Sequence, residues 1–431
     1  MPQIPKRIAN IIMNSLKGGV VPKNGVRHIT VGRKDEIDAL LKDAEIIEDG
    51  GSTFRFIVGK FGSGKSFLIQ AFKTYILEKG YICMETDLSP ERRLVGNNNQ
   101  GLATYKQLVQ NMSSKTKPDG GALQLILEKW ISNISNELIN ENPNLDITSD
   151  EYKNLMKNKI FLVINEIESL VNGFDFAKVI SLYWEAYINN DSELKNKVLK
   201  WLRGEYATKT EAKNELGIST IITDDNWYEY IKLYTVFLTK TGYKGLFVFI
   251  DELINLYKIP NQIARQYNYE KILTMYNDTL QGKVSNLGII MCGTPMTIED
   301  TKRGLFSYEA LKSRLEHSRF FSDETRDLMA PIITLKVLTP EEIFVLLDKL
   351  SVIHADLYDY QKSVTNIEIE TFINAEYSRL GAKEKLTPRE IIRDFIEILN
   401  TLYQYPDKKM SDLIQTKAEE TFEIDDTIFE I

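Results

Sequence analysis

The chain has 431 residues, which exceeds one ordinary domain and fits two or three. Hydrophobic residues make up 43% of it and aromatic residues 10%, enough for extensive apolar cores. With 53 basic and 61 acidic side chains the formal net charge is −8, which argues against a general nucleic-acid coat, although local basic patches could still contact DNA. No run of about 18 apolar residues occurs, so the sequence predicts no membrane span.

The cysteine and histidine content argues against a disulfide framework and against a metal centre. Only two cysteines occur, Cys83 and Cys292, and each lies in an apolar run typical of a core strand. The three histidines do not have the spacing of metal ligands. Residues 1–19 lack the apolar run of a signal peptide, and together these features predict a protein of the reducing cytoplasm.

The first 27 residues are predicted to form an N-terminal helical segment, because Ile8, Ile12 and Leu16 recur at helical spacing. A tripeptide, Val31-Gly32-Arg33, then precedes a second helical pattern and a glycine-rich loop. Taken alone, the tripeptide also fits a helix cap with an exposed arginine.

The glycine-rich loop, Gly59 to Ser66, has the spacing G-x-x-x-x-G-K-S of a phosphate-binding loop. A buried strand is predicted before it, at Thr53 to Val58, and a helix opens at about Gly64. In such a loop the backbone N–H groups face phosphate oxygens, Lys65 reaches the β- and γ-phosphates, and the Ser66 hydroxyl holds Mg²⁺. The alternative, a plain glycine-rich turn, is disfavoured by the complete motif. The predicted ATP-binding residues of this stretch are Gly59, Gly62, Ser63, Gly64, Lys65, Ser66 and Phe67.

A long helical region is predicted to interrupt the strand pattern. A second strand is predicted at Tyr81 to Thr86, and residues 87–121 are polar. Residues 122–241 then carry apolar residues at helical spacing, which predicts a large helical insertion between the second and third strands, its aromatic residues forming a core. Within it, Asp224-Asp225-Asn226 is predicted to cap the last helix.

The third strand ends in two acids. Five apolar residues, Leu246 to Ile250, precede Asp251 and Glu252, which is the form of a Walker B strand. The strand would carry Asp251 to the Mg²⁺ shell, through water because Mg²⁺ keeps most of its hydration. Glu252 would then polarise the attacking water. A strand that ends in a solvated acidic turn is the alternative.

A similar run, Ile160 to Glu166, is a rival for the Walker B strand. It has Asn165 where the carboxylate of the Mg²⁺ shell belongs, and its apolar pattern continues at helical spacing. We therefore predict that this run is a helix of the insertion.

Three further features follow the third strand. The run Leu287–Gly293 predicts a fourth strand with Thr294 as the polar residue at its tip. A helical stretch beyond it has Arg314 near its end. A fifth strand is predicted at Ile332 to Leu335.

The C-terminal region is predicted to be helical over residues 337–418. One of its helices opens at Thr387-Pro388, which places Arg389 in the first turn. The alternative for Arg389 is a solvated helix start. The last residues, 419–431, contain six acids and no base, which predicts a flexible or partner-binding tail, or an added edge strand.

The order of these motifs resembles an AAA+ P-loop ATPase of the origin-recognition and STAND type over most of the chain. The resemblance implies an α/β P-loop NTPase fold, with a parallel sheet core, a large helical insertion and a C-terminal helical lid. It implies that Arg33 lies near the nucleotide base, that Thr294 is the sensor-1 residue, and that Arg389 is the sensor-2 arginine of the lid.

The same resemblance implies an arginine finger, which completes the active site of a neighbouring subunit. Arg314 is the candidate, with Arg319 and Arg303 as rivals. A simple surface arginine is the alternative.

More closely, the chain resembles the ATP-binding proteins of bacteriophage-exclusion (BREX) defence systems. That family implies a bacterial ATPase that works beside helicase-like or DNA-modifying partners. The runs that carry the resemblance, besides the phosphate loop, are Glu85 to Leu94, Thr104 to Leu108, Trp201 to Glu205, Gly242 to Leu246 and Ser307 to Leu311.

Six segments are expected. They are an N-terminal helical segment at 1–27, the first part of an AAA+ core at 28–121, the helical insertion at 122–241, the second part of the core at 242–336, the helical lid at 337–418 and the acidic tail at 419–431.

The function expected is a Mg²⁺-dependent ATPase whose cycle remodels a partner or DNA, in a possible homo-oligomer. Lys65 and Glu252 are its expected catalytic residues, with Arg314 as the finger. Two alternatives stay open. One is a STAND-like switch or scaffold that holds ATP with little turnover; the other, weaker, is a small-molecule kinase.

Overall fold

The computed structural model describes residues 4–147, 149–168, 170–316, 326–378 and 387–419. The chain divides into two compact units, each formed from separate stretches of sequence. The first unit takes Met1–Ile37, Gly59–Ala71 and Thr334–Ile431, and the second takes Asp38–Val58 and Phe72–Ile333.

A five-stranded sheet forms the centre of the second unit. The strands are β1 (Ser52–Val58), β2 (Ile82–Asp87), β3 (Leu246–Asp251), β4 (Leu287–Gly293) and β5 (Ile332–Thr334). Their order across the sheet is β2-β3-β4-β1-β5, and the pairs β2·β3, β3·β4 and β1·β4 are parallel. The five predicted strands are confirmed, and the arrangement is consistent with a P-loop NTPase core.

The central strands are buried on both faces, which is why their sequences are continuous apolar runs rather than alternating ones. Every residue of β4 is buried, as are the first five of β3. The ring of Phe72 packs edge-on against Phe247 at 5.1 Å between centroids and also contacts Phe249. Aromatic packing of this kind fixes the helix that follows the phosphate loop to one face of the sheet.

In the part of the chain that the structure describes, many helices accompany this sheet. Those outside the insertion are α3 (Lys34–Glu48), α4 (Lys65–Glu78), α5 (Gln100–Gln110), α12 (Ile254–Tyr257), α13 (Gln262–Leu280), α14 (Pro295–Glu299) and α15 (Glu309–Leu315), with a 3-10 turn at Leu305–Ser307. Those of the insertion are α6 (Leu123–Glu141), α7 (Asp150–Glu168), α8 (Gly173–Ile188), α9 (Ser192–Leu202), α10 (Lys209–Leu216) and α11 (Trp227–Lys240).

The insertion is helical and has an aromatic core, as predicted. The ring centroids of Phe176 and Tyr234 lie 5.2 Å apart, and those of Trp201 and Tyr230 lie 5.4 Å apart. The rival Walker B run, Ile160 to Glu166, lies inside α7, which confirms the helical interpretation.

The predicted cap of α11 is wrong in detail. Asn226 stands at the N-cap but makes no capping bond with its side chain, and its Oδ1 accepts from the N–H of Thr223 instead. The carboxylate of Asp224 accepts from the N–H groups of Gly96 and Leu102, at 3.2 and 2.8 Å. Tertiary donors from a distant segment therefore compete successfully with the local cap, a competition that sequence spacing does not show.

The first unit is a helical body. Its helices, besides α2 (Val26–Ile29), are α1 (Lys6–Lys17), α16 (Pro340–Tyr358), α17 (Asn366–Ser378), α18 (Pro388–Gln404) and α19 (Met410–Glu419). Helix α1 packs against α16 and α18 around one apolar cluster. Both α16 and α18 begin with a threonine capping box and a proline in the first turn, which fixes where each helix starts. None of the described helices is long and apolar enough to cross a membrane.

His354 is a fully buried titratable group in α16 of this unit. Its Nδ1 lies 2.8 Å from the Tyr360 hydroxyl and its Nε2 lies 3.3 Å from the Asn400 Oδ1. Burial lowers the pKa of His354 below its ordinary value, and the hydrogen bond to Asn400 opposes this only in part. The neutral imidazole is therefore the form that the folded unit holds.

We expect the first unit to lose stability on mild acidification because of His354. The folded pKa lies below the unfolded one, so the stabilisation is complete above about pH 6.5 and is lost as the pH falls through the folded pKa. In denaturant unfolding between pH 8 and 5, His354→Gln should be less stable throughout but should lose less stability on acidification than the parent chain. Equal slopes for His354→Gln and the parent would contradict the expectation.

Candidate functional site

The phosphate loop lies in the first unit and joins the end of β1 to the start of α4. Gly62 and Gly64 have left-handed backbone conformations, with φ of +73° and +91°. A side chain at either position would be strained, and a Cβ at Gly62 would come within 2.7 Å of the Thr387 side chain. These glycines therefore let the loop curl over the N-terminus of α4, the geometry that points backbone N–H groups at phosphate oxygens.

Lys65, the first residue of α4, folds back over this loop. Its Nζ donates to the carbonyl oxygens of Gly59 and Lys60 at 2.8 and 3.0 Å, and it lies 5.6 Å from the centre of the Phe61 ring. The ammonium is thus held at the loop by backbone oxygens. Phosphate oxygens, which carry more negative charge, can replace those carbonyls as its partners.

The loop fits a polyphosphate on two further observations. The Ser63 hydroxyl is buried and has no hydrogen-bond partner among the residues that the structure describes. The N-terminus of a 14-residue helix adds a favourable dipole for an anion. Ser66 follows Lys65 in the exposed first turn of that helix.

Arg33 braces the same loop from within the first unit. Its guanidinium is buried and donates from Nη2 to the Ser63 carbonyl oxygen at 2.8 Å, with Glu36 4.0 Å from Nη1. Gly32, beside it, packs against the carboxylate of Glu342. The observed partner of Arg33 is therefore the phosphate-loop backbone. Phe67, on the first turn of α4, packs partly buried against the apolar cluster of the first unit.

The N-terminus of α18 lies beside the loop. Thr387, its N-cap, contacts Gly62 and accepts from the N–H of Glu390. Arg389 follows in the first turn, where its exposed side chain lies along Gly19. The first unit thus brings together Arg33, the phosphate loop and the arginine-bearing start of α18.

The acidic pair lies in the second unit at the carboxyl end of β3. Asp251 is the last residue of the strand, and Glu252 follows with φ of +61°, a left-handed conformation that side chains rarely adopt. The Glu252 N–H donates to Asp251 Oδ1 at 2.7 Å, and the Glu252 side chain is exposed. Strain of this kind persists where the surroundings hold it, and it concentrates at functional sites.

A third acid at this edge was missed in the sequence. Asp87 ends β2 and stands directly opposite Asp251 in the parallel register. The sequence predicts that the second strand ends at Thr86, one residue before Asp87. It therefore does not predict that Asp87 and Asp251 end neighbouring strands. Across the described residues, no group of three or more acids, histidines or cysteines is arranged to hold a metal ion by itself.

Thr294 lies at the carboxyl end of β4, the strand beside β3. It is buried and forms the N-cap of α14, where its Oγ1 accepts from the Thr297 N–H at 3.3 Å and shares a hydrogen bond of 2.8 Å with the Thr297 hydroxyl. Pro295 in the first turn favours this cap. The Thr294 hydroxyl is therefore engaged in its own turn.

The arginine candidates differ in their surroundings. Arg314, near the end of α15, is exposed and donates to Asn277 Oδ1 and to the Ala310 carbonyl oxygen, at 3.2 and 2.7 Å. Arg303 donates to the carbonyl oxygens of Tyr257 and Ile259 and so ties down the segment after β3. Arg319 lies outside the described residues.

A family model described as BREX system ATP-binding protein BrxC/D matches residues 4–418, nearly the whole chain. That description gives the family an ATP-binding role in an anti-phage defence system. No curated protein matches the chain.

Strain at Glu252 gives a stability prediction. Glycine adopts the left-handed conformation without the Cβ penalty of about 1–2 kcal/mol, a gain that its greater unfolded-state entropy offsets in part. Glu252→Gly should therefore leave the free energy of unfolding unchanged or raise it by up to about 1 kcal/mol. Glu270→Gly, at an exposed acid in the interior of helix α13, should lower it by about 1 kcal/mol.

Equilibrium denaturation of the two variants checks this contrast. Equal destabilisation by both substitutions would mean that Glu252 is not strained.

Proposed function

The chain belongs to the BREX system ATP-binding protein BrxC/D family, and we propose that it is a Mg²⁺-dependent ATPase of the AAA+ type. Its output is the ATP cycle itself, coupled to the remodelling of a partner or of DNA in anti-phage defence. The observation that carries this proposal is the strand–loop–helix unit β1, Gly59 to Ser66 and α4, with the Lys65 ammonium held at the loop carbonyls.

The phosphate loop binds the triphosphate of ATP in this proposal. Lys65 exchanges its loop carbonyls for β- and γ-phosphate oxygens, and the N–H groups at the start of α4 add neutral donors. Arg33 keeps the loop backbone in place through the Ser63 carbonyl oxygen. A bound Mg²⁺ would supply a Lewis acid that neutralises charge on the phosphates. Ser66 and Asp251 are the residues assigned to hold it.

Glu252 is assigned as the general base. General bases act from within hydrogen-bond reach of the water they activate, and they contribute about 10²- to 10⁴-fold in rate. The exposed carboxylate at a strand's carboxyl end suits this role. Asp87, opposite Asp251, adds negative charge beside the pair and favours a cation there.

The AAA+ assignment adds a lid and two nucleotide sensors. We assign the helices of residues 337–418 to the lid, with Arg389 at its nucleotide-facing start, and we assign Thr294 to the tip of β4 as sensor 1. Loss of the γ-phosphate contact of Arg389 on hydrolysis would release the lid, which is the conformational step that partners sense.

The partners proposed are other proteins of the defence system, of the helicase-like or DNA-modifying kind. The helical insertion of residues 122–241 is the segment assigned to them, since an ATPase core does not need it. A cytoplasmic location is proposed because both cysteines are buried and neither forms a disulfide.

Two substitutions test binding and hydrolysis separately. Lys65→Ala should weaken ATP binding about a hundredfold or more, because it removes a charge-assisted contact worth about 3 kcal/mol. Lys60→Ala is the matched control, since only the backbone carbonyl of Lys60 contacts Lys65. Calorimetry measures the ATP affinity of both variants and of the parent chain. Equal affinity of Lys65→Ala and the parent chain would refute the binding role of Lys65.

Glu252→Gln should keep ATP binding and lower steady-state turnover about 10²- to 10⁴-fold, because the amide cannot accept a proton from water. Glu299→Gln, an exposed acid on α14, should turn over normally. If Glu252→Gln hydrolyses ATP at the parent rate, the Walker B assignment is wrong. If the parent chain retains ATP through purification and turns over none of it, the switch alternative replaces the ATPase.

Arg314 can be tested as a finger that acts in trans. Arg314→Ala and Glu252→Gln should each be inactive alone. A mixture of the two should regain activity, because one subunit supplies Glu252 and its neighbour supplies Arg314. Mass photometry with and without ATP identifies the assembly in which this happens. No recovery in a mixture that forms such an assembly would exclude a finger role in trans.

A further inference from the structure

The side chain of Asn255 fastens the turn that carries Glu252 to the segment after β2. Its Nδ2 donates to the carbonyl oxygen of Leu88 at 2.8 Å and to the carbonyl oxygen of Glu252 itself at 3.3 Å. The backbone N–H of Asn255 also donates to the Glu252 carbonyl oxygen, at 3.0 Å. A single carboxamide therefore links the strained residue after β3 to the residue that follows β2.

The backbone of the same turn is tied to both neighbouring strands. The Leu88 N–H donates to the Asp251 carbonyl oxygen at 3.1 Å, and the Leu253 N–H donates to the Cys292 carbonyl oxygen of β4 at 3.1 Å. In the second of the two bonds at Leu88, the residue after β2, its carbonyl oxygen accepts from the Asn255 side chain. Both polar backbone groups of Leu88 are thus used to hold the Asp251–Glu252 pair.

The Leu88 carbonyl oxygen can hold the turn only if its own segment of chain is fixed. Side chains of other elements fix the segment that follows Leu88. The buried amide of Asn268 accepts from the N–H groups of Leu94 and Val95, at 2.9 and 3.0 Å, and donates to the Val95 carbonyl oxygen at 3.1 Å. The Trp227 indole N–H donates to the Leu94 carbonyl oxygen at 3.0 Å.

Asp224 holds the N–H groups of Gly96 and Leu102, so the helical insertion supplies two of the residues that fix this segment, Asp224 and Trp227. The anchor of Asn255 is therefore continuous with the insertion.

We propose that Asn255 is a positioning residue for ATP hydrolysis: it holds Glu252 in its left-handed conformation so that the carboxylate meets the attacking water. The inference rests on the proposed function, in which Glu252 is the general base. It adds a residue that acts through the Glu252 backbone rather than on the reacting atoms. Without the carboxamide, the turn can relax toward an unstrained φ, which redirects the side chain.

The chemistry at position 255 is specific. The side chain must donate two hydrogen bonds to two carbonyl oxygens from a short, branched amide, which only asparagine does at this length. An aspartate at this position would place carboxylate oxygens, which cannot donate, against the two carbonyl oxygens. A leucine has a similar shape but no hydrogen-bond donor. Glutamine keeps the donors on a stem longer by one methylene and should restore the function in part.

The experiment measures ATP turnover and ATP affinity for Asn255→Ala, with Asn255→Leu as a second variant that preserves side-chain volume. Both should lower kcat about ten- to a hundredfold, as expected for a displaced catalytic group. Affinity for ATP should change less than about twofold, because the phosphate loop is untouched. Asn255→Gln should recover part of the lost kcat.

Asn286→Ala is the matched control for general destabilisation. Like Asn255, Asn286 donates from Nδ2 to a carbonyl oxygen, that of Ile47, but it stands before the amino end of β4. It should lower the melting temperature without lowering kcat at a temperature where the chain is folded. A matching loss of kcat in Asn286→Ala would overturn the inference.

A double-mutant cycle separates positioning from folding. In the Glu252→Gln background, Asn255→Ala should lower the residual turnover no further, because the group that it positions is already absent. An additive loss overturns the positioning role. If Glu252→Gln itself retains the parent rate, the proposed ATPase site fails, and Asn255 fails with it. If Glu252→Gln is inactive while Asn255→Ala and Asn255→Leu keep the parent kcat, only the inference about Asn255 fails.

Discussion

The pairing of β1 with β4 is the constraint on which the rest of the structure depends. The two strands run parallel in unbroken register from Ser52 opposite Leu287 to Val58 opposite Gly293, and β1 is buried where it ends. Parallel strands place all their carboxyl ends at one edge. The chain can therefore leave β1 only at the edge where β3 delivers Asp251, and the phosphate loop starts at the next residue.

The candidate site residues of the two units differ in charge. In the first unit, Lys65 and Arg33 place two cations against the phosphate-loop backbone. In the second, Asp87, Asp251 and Glu252 collect at the ends of neighbouring strands.

Glu252 shows how the fold holds a residue that local preference would place elsewhere. Its left-handed backbone costs free energy, and hydrogen bonds from Asn255 and between Leu88 and Asp251 hold it there. The helical insertion reaches the same turn through the segment fixed by Asp224 and Trp227. A partner bound to the insertion would therefore have a physical route to the candidate catalytic acid.

The sequence by itself determined the strands, the phosphate loop, the acidic pair and the helical nature of the insertion, because each rests on local spacing and continuous burial. Only the tertiary structure decided the strand order, the contact of Arg33 with Ser63 and the bonds of Asp224 to Gly96 and Leu102. In each of these contacts a side chain bonds to one backbone group among many that are chemically equivalent, and the fold determines which one lies within reach. Local spacing cannot rank such partners, since their choice depends on which strand ends and loops the fold brings together.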